Sequence, residues 1–125
     1  MDIHNLELDV SCYATAVYHE VNNRTLEEKL GVINVIRNRV KSGLWGRDVC
    51  SVIYASGQFA VRDETHAPVD KVTFLKTELF VLDAIRGKYA NPVANALYFH
   101  DDSIMPKHSW FGHKKITHIG RMVFY

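Results

Sequence analysis

Nowhere in the chain does an apolar stretch approach the roughly 18 to 20 residues needed to cross a bilayer, so no membrane insertion is expected. A formal net charge of +1 leaves no basic excess with which to grip a phosphate backbone, which excludes nucleic acid as an expected partner. The N-terminal "MDIHNLELDV" is acidic, where an export signal would carry a basic segment followed by an apolar one. The protein is therefore expected to be made in the cytoplasm without its own export signal. Its 2 cysteines, Cys12 and Cys50, are too few for a disulfide framework and lack the spacing of a zinc knuckle or a redox pair. Both lie in apolar surroundings ("SCYATAV", "DVCSVIY") and read as small buried thiols, any bridge between them being a matter of geometry. A composition of 47% hydrophobic and 23% charged residues signals neither disorder nor repeats, and 125 residues suit one compact unit over 1–125.

What is present is helical periodicity. Residues 6–20 carry Leu6, Leu8, Val10, Tyr13, Ala16 and Val17, and the spacing of Tyr13, Ala16, Val17 and Glu20 follows one helical face. Thr25 followed by Glu28 is a capping-box signature for a second helix running to about Lys41. Its apolar positions Leu26, Leu30, Val32, Ile33, Val35, Ile36 and Val40 cover so much surface that this helix is expected to be central. Asp48 suits the cap of a short helical turn through "VCSVIY", and Asp70 that of a third helix, with Val72, Leu75, Leu79 and Leu82 on one face and Gly87 as its stop. A short strand is expected at "QFAV", while "ALYFH" and "THIGRMVFY" read as two strands pairing across the loop "DDSIMPKHSWFGHKK". The fold class is α+β, helix-rich with a small antiparallel sheet.

Glu20 is the conspicuous residue, because an acid that prolongs a buried stripe must find partners or hold its proton. A carboxyl near a helix C-terminus also faces the negative end of the macrodipole. Burial in a cleft raises such a group to about 6, where it works as a general acid. The plainer alternative is a solvated Glu20, or one paired with Arg24 or Arg39.

The ordered pieces "AVYHE", "GVINVIRNRVKSG", "VCSVIYASGQF", "ALYFH", "SWF" and "IGRMVFY" resemble the cell-wall hydrolase family of the spore cortex-lytic enzymes, the SleB-like catalytic domains, over almost the whole chain. The resemblance implies a reduced lysozyme-like fold, peptidoglycan as substrate and no cofactor or metal. The glutamate of the family's tyrosine-x-glutamate motif, Glu20 here, would be the catalytic acid. It implies cleavage between N-acetylmuramic acid and N-acetylglucosamine by lytic transglycosylation, which one carboxyl group can perform. A hydrolase would usually need a second carboxylate about 5 to 9.5 Å away, for which Asp63, Glu64, Asp101 and Asp102 are candidates.

Gln58 and Phe59 match the family's "QF" pair and suit a sugar's polar groups and pyranose face. Tyr98, Trp110 and Tyr125 are further candidates for substrate binding, each with core packing as the alternative, and Asn38 of "NRV" reads as support for the site or a structural hydrogen bond. The chain departs from the family pattern at Val21 and Asn22, where alanine and arginine are common, at Asn95 in place of glycine, and at Met122 in place of histidine.

Two rival readings stand beside this one. His100, Asp102, His108, His113 and His118 invite a zinc-dependent amidase or peptidase, although no H-E-x-x-H helix is present and the five-residue spacing of the last three histidines suits no single helix face. A wall-binding module without turnover would use Trp110 and the tyrosines as a platform but leaves Glu20 unexplained. The expected setting is that of a monomeric phage endolysin released to the wall by a holin, or of a virion-borne lysin.

Overall fold

The computed structural model describes residues 3–55, 70–104 and 114–125. The expected "QFAV" strand and the "SWF" loop lie outside these residues. These residues form four helices and a small sheet: α1 (Ile3–Val21), α2 (Leu26–Ser42), α3 (Val49–Tyr54), α4 (Lys71–Ile85), β1 (Phe99–Asp101), β2 (Thr117–Ile119) and β3 (Met122–Phe124).

Local chemistry sets the helix ends. The Thr25 side chain accepts from the Glu28 amide while the Glu28 carboxylate accepts from the Thr25 amide, closing the capping box that starts α2. Gly43, at φ 72, ends that helix in the left-handed conformation, where a side chain would be strained. Asp48 caps α3 and Asp70 caps α4, each through its carboxylate and the helix's first amides. Central placement of α2 follows from its sequence: Val32, Ile33, Val35 and Ile36 are fully enclosed.

The buried face of α4 is not the one its large residues mark. Val72, Leu75 and Leu79 are 63%, 56% and 56% exposed, and Leu82 is half-buried. The core instead receives Thr77, Val81 and Ala84, a stripe of smaller side chains at helical spacing. Leu79 and Val81 are two positions apart, about 200° around the helix, so the two stripes lie on nearly opposite sides.

The "THIGRMVFY" segment is not one strand. Ile119 pairs with Met122, so Gly120 and Arg121 form a two-residue hairpin loop and the sheet has order β1-β3-β2, all antiparallel. Gly120, at φ 56, supplies the positive dihedral that such a loop demands at its first position. β3 is the central strand, and its Phe124 is wholly buried against Gly31 of α2. A Cβ at Gly31 would stand 2.4 Å from the Phe124 Cζ atom, inside the packed core. Gly31→Ala is accordingly expected to cost about 1–3 kcal/mol through overpacking, read as a lower urea midpoint. An unchanged midpoint would contradict this close helix-sheet contact.

Cys12 and Cys50 are not free thiols. Their Cα atoms are 5.3 Å apart and their sulfurs are bonded, tying α1 to α3. Cys12 is buried as expected and Cys50 only partly, and with 38 residues between them in sequence their apolar surroundings carried no sign of pairing.

Candidate active site

Glu20 occupies the last turn of α1, half-buried. Ala16 and Val17, one turn earlier on the same face, are fully enclosed. The carboxyl thus continues the core-facing stripe to the point where it emerges at the end of the helix. Tyr18, the tyrosine of the motif, serves as an anchor: its hydroxyl accepts from the Asp70 amide at 3.2 Å, and its ring meets Phe74 edge-on. The start of α4 is thereby fixed to the helix end that carries Glu20.

The turn after Glu20 is pinned by a charge cluster that joins Arg24 to one acid four positions on and to another far along the chain. Arg24 binds Glu28 of α2 at 3.3 Å and also binds Asp101 of β1, 77 residues away. Burial pushes the Glu28 carboxyl upward. Hydrogen bonds from the Thr25 amide and hydroxyl and from the Arg121 amide, together with the Arg24 charge, outweigh that effect and lower it overall. Asp101 is held well below the usual carboxylate range, first by the Ser103 hydroxyl and then by Arg24. Both of its oxygens are occupied by these partners, which argues against Asp101 as a second catalytic group. Asp102 faces His118 at 3.2 Å, and both are exposed. Asp63 and Glu64 lie outside the described residues.

The "NRV" segment positions the chain that enters the sheet. Asn38 donates to the Ala94 and Ala96 carbonyls, both at 2.9 Å, and Arg39 donates through Nε to the Leu97 carbonyl at 2.7 Å. Ala94 has φ 49, a left-handed conformation costly for a residue with a side chain, and the Asn91 amide holds the same carbonyl. The Arg39 side chain is only 1% exposed, its guanidinium lying 4.2 Å from the Trp45 ring centre and 5.4 Å from that of Tyr98. Burial lowers its pKa to about 10. Asn38→Ala is expected to cost about 1–3 kcal/mol by leaving the Ala96 carbonyl without its donor. Chemical denaturation reads that loss, and an unaltered midpoint would contradict the structural role.

Tyr98 and Tyr125 stand just before β1 and just after β3, joined by backbone hydrogen bonds in both directions. The Tyr98 ring packs edge-on against Trp45. The Tyr125 ring stacks on His100, and its hydroxyl is 2.9 Å from His100 Nε2. His100 Nδ1 faces the Asp101 carbonyl at 2.7 Å, which can only accept, so Nδ1 is the donor in that contact. Gln58, Phe59, Trp110 and Phe111, like His108 and His113, lie outside the described residues.

A groove of about 410 Å³ opens beside the same helix end, lined by Asn22, Lys29, Lys76 and Phe80 among others. Asn22 lies in the turn that follows α1. Glu20 is not among the residues that line this groove.

Both the architecture and a family comparison define the class. The chain belongs to the cell wall hydrolase family, whose model matches residues 23–125, beginning just after Glu20. It is an enzyme of that family, with the helix-rich, lysozyme-like fold of its catalytic domains. The structure is similar to the catalytic domain of the SleB protein of Bacillus cereus, with a TM-score of 0.75 and 28% identity over 94% of this chain and 89% of that one. It is similar also to the catalytic domain of the germination-specific lytic transglycosylase SleB of Bacillus anthracis, with a TM-score of 0.74 and 31% identity over 93% and 92% of the two chains. The spore cortex-lytic enzyme of Oceanobacillus iheyensis is 31% identical over 120 residues, and this chain spans 41% of that relative's length.

Proposed function

We propose that the chain is a peptidoglycan lytic transglycosylase in which Glu20 acts first as acid and then as base. The observation that carries this reading is a glutamate on the core-facing stripe of the first helix, in a fold that a domain named as a lytic transglycosylase shares at TM-score 0.74. The protonated carboxyl gives its proton to the oxygen joining N-acetylmuramic acid to N-acetylglucosamine, and the bond from that oxygen to C1 breaks. The resulting carboxylate takes the proton of the muramic acid 6-hydroxyl as O6 closes on C1. Glu20 ends protonated, a 1,6-anhydro product leaves, and no water is consumed.

Engagement of Asp101 by Arg24 and Ser103 favours this route over lysozyme-type hydrolysis, which calls for a second free carboxylate. Gln58, Phe59, Tyr98, Trp110 and Tyr125 are proposed to contact the glycan, within one catalytic unit acting as a monomer over residues 1–125. The Cys12–Cys50 bridge supports action in an oxidising compartment outside the cytoplasm, as a phage lysin at the wall requires. Digestion of purified sacculi followed by mass analysis of the released muropeptides tests the reading. Anhydro ends are expected, whereas reducing ends would establish hydrolysis in their place.

A further inference from the structure

A second groove, of about 440 Å³, opens at the other end of α1, where Asn5, Asp9 and Tyr13 of that helix meet Arg37 of α2 and Arg86 just past α4. Asp9 lies 11 positions before Glu20, about 16 Å along the helix, so the groove is separate from the proposed reaction centre. It carries charges of both signs. Among the described residues Asp9, Arg37 and Arg86 form no ion pair and no side-chain hydrogen bond, although all three line the same space. Tyr13 is only 6% exposed, yet its hydroxyl has no hydrogen-bond partner among those residues. Tyr13 lines the groove, where that hydroxyl is open to a ligand. Leu82 and Ile85 supply an apolar wall.

Asp9 and Arg37 are both half-buried and do not neutralise each other, so each lacks a counter-charge that a ligand can supply. Burial, and secondarily the negative charge of Asp48, raises the Asp9 carboxyl above its ordinary value, in keeping with an acid that lacks a cation. The complementary ligand carries an ammonium for Asp9, a carboxylate for the arginines and methylene groups between them for the leucine and isoleucine. We infer that this groove binds a zwitterionic peptide ending in a diamino acid, the chemistry of a peptidoglycan stem. The choice of a wall peptide rests on the function proposed above; the charge pattern does not.

The test is calorimetric titration of the intact protein with the glycan-free tripeptide L-alanyl-γ-D-glutamyl-diaminopimelate, with amide NMR shifts to locate it. Saturable binding is expected, with shifts at Asn5, Asp9, Arg37 and Arg86. Asp9→Asn and Arg37→Gln should each weaken binding by about 10-fold or more while leaving the thermal midpoint near that of wild type. Acetylating the side-chain amine of the peptide should weaken it comparably. Absence of saturable binding, shifts confined to the surroundings of Glu20, or variants that bind like wild type would overturn the inference. Glu20→Gln should bind the tripeptide normally, so a protein that releases anhydro ends but ignores the peptide refutes the groove alone. Binding by a protein that does not cut glycan refutes only the proposed activity.

Discussion

Glu20→Gln is expected to slow the clearing of purified sacculi by about a hundred- to ten-thousand-fold, the usual worth of a general acid-base group. Glutamine keeps the shape of the side chain and its capacity to accept a hydrogen bond, but it has no acidic proton to deliver. The substitution should leave the fold in place, because glutamine keeps the side chain's size and hydrogen-bonding capacity and because neighbouring residues also fix this end of α1. Tyr18 holds the start of α4, and Arg24 joins the first turn of α2 to β1. Thermal unfolding within a few degrees of wild type, together with lost turbidity clearance, is the expected pair of results. Full activity in the glutamine variant would remove Glu20 from the mechanism, and a collapsed midpoint would show that the side chain serves the fold instead.

Breaking the Cys12–Cys50 bridge is expected to have the largest effect on stability. Closing a loop between cysteines 38 residues apart removes enough freedom from the unfolded chain to be worth about 4 kcal/mol at 25 °C in the chain-entropy model. That is a large share of the roughly 5–15 kcal/mol by which a domain of this kind is stable. The bridge also ties α1, which carries Glu20, to α3, so a reduced protein should lose lytic activity at lower temperature than the oxidised one. Urea unfolding of the oxidised protein, the protein with reductant and the Cys12→Ala, Cys50→Ala double variant measures the effect. Coincident midpoints in all three would show that the bridge contributes nothing.

Features that depend on neighbouring residues were legible in the sequence. Thr25 with Glu28, Asp48, Asp70, Gly43 and Gly87 mark helix ends by chemistry that acts within a few positions, and the structure uses each of them there. The face of α4 was misread because apolar periodicity weighs large side chains, while close packing against α1 and α2 selected the smaller Thr77, Val81 and Ala84. The hairpin at Gly120 went unseen because strands of 3 residues are too short to display an alternating pattern. Long-range pairings left no local trace at all: Arg24 with Asp101, Asn38 with Ala94 and Ala96, and Cys12 with Cys50. Glu20 stood out because burial and charge conflict at one position, and the family resemblance gave that conflict a purpose. The structural work of Tyr18 and Arg24 beside it emerges only once the helices are assembled.

The most direct measurement of the central claim is digestion of sacculi in heavy-oxygen water by the wild-type protein and by Glu20→Gln in parallel, with the mass of every new glycan end recorded. Anhydro ends without solvent oxygen are expected from the wild type, and no new ends from the variant. Solvent oxygen at the new ends, or anhydro products from the variant, would contradict it.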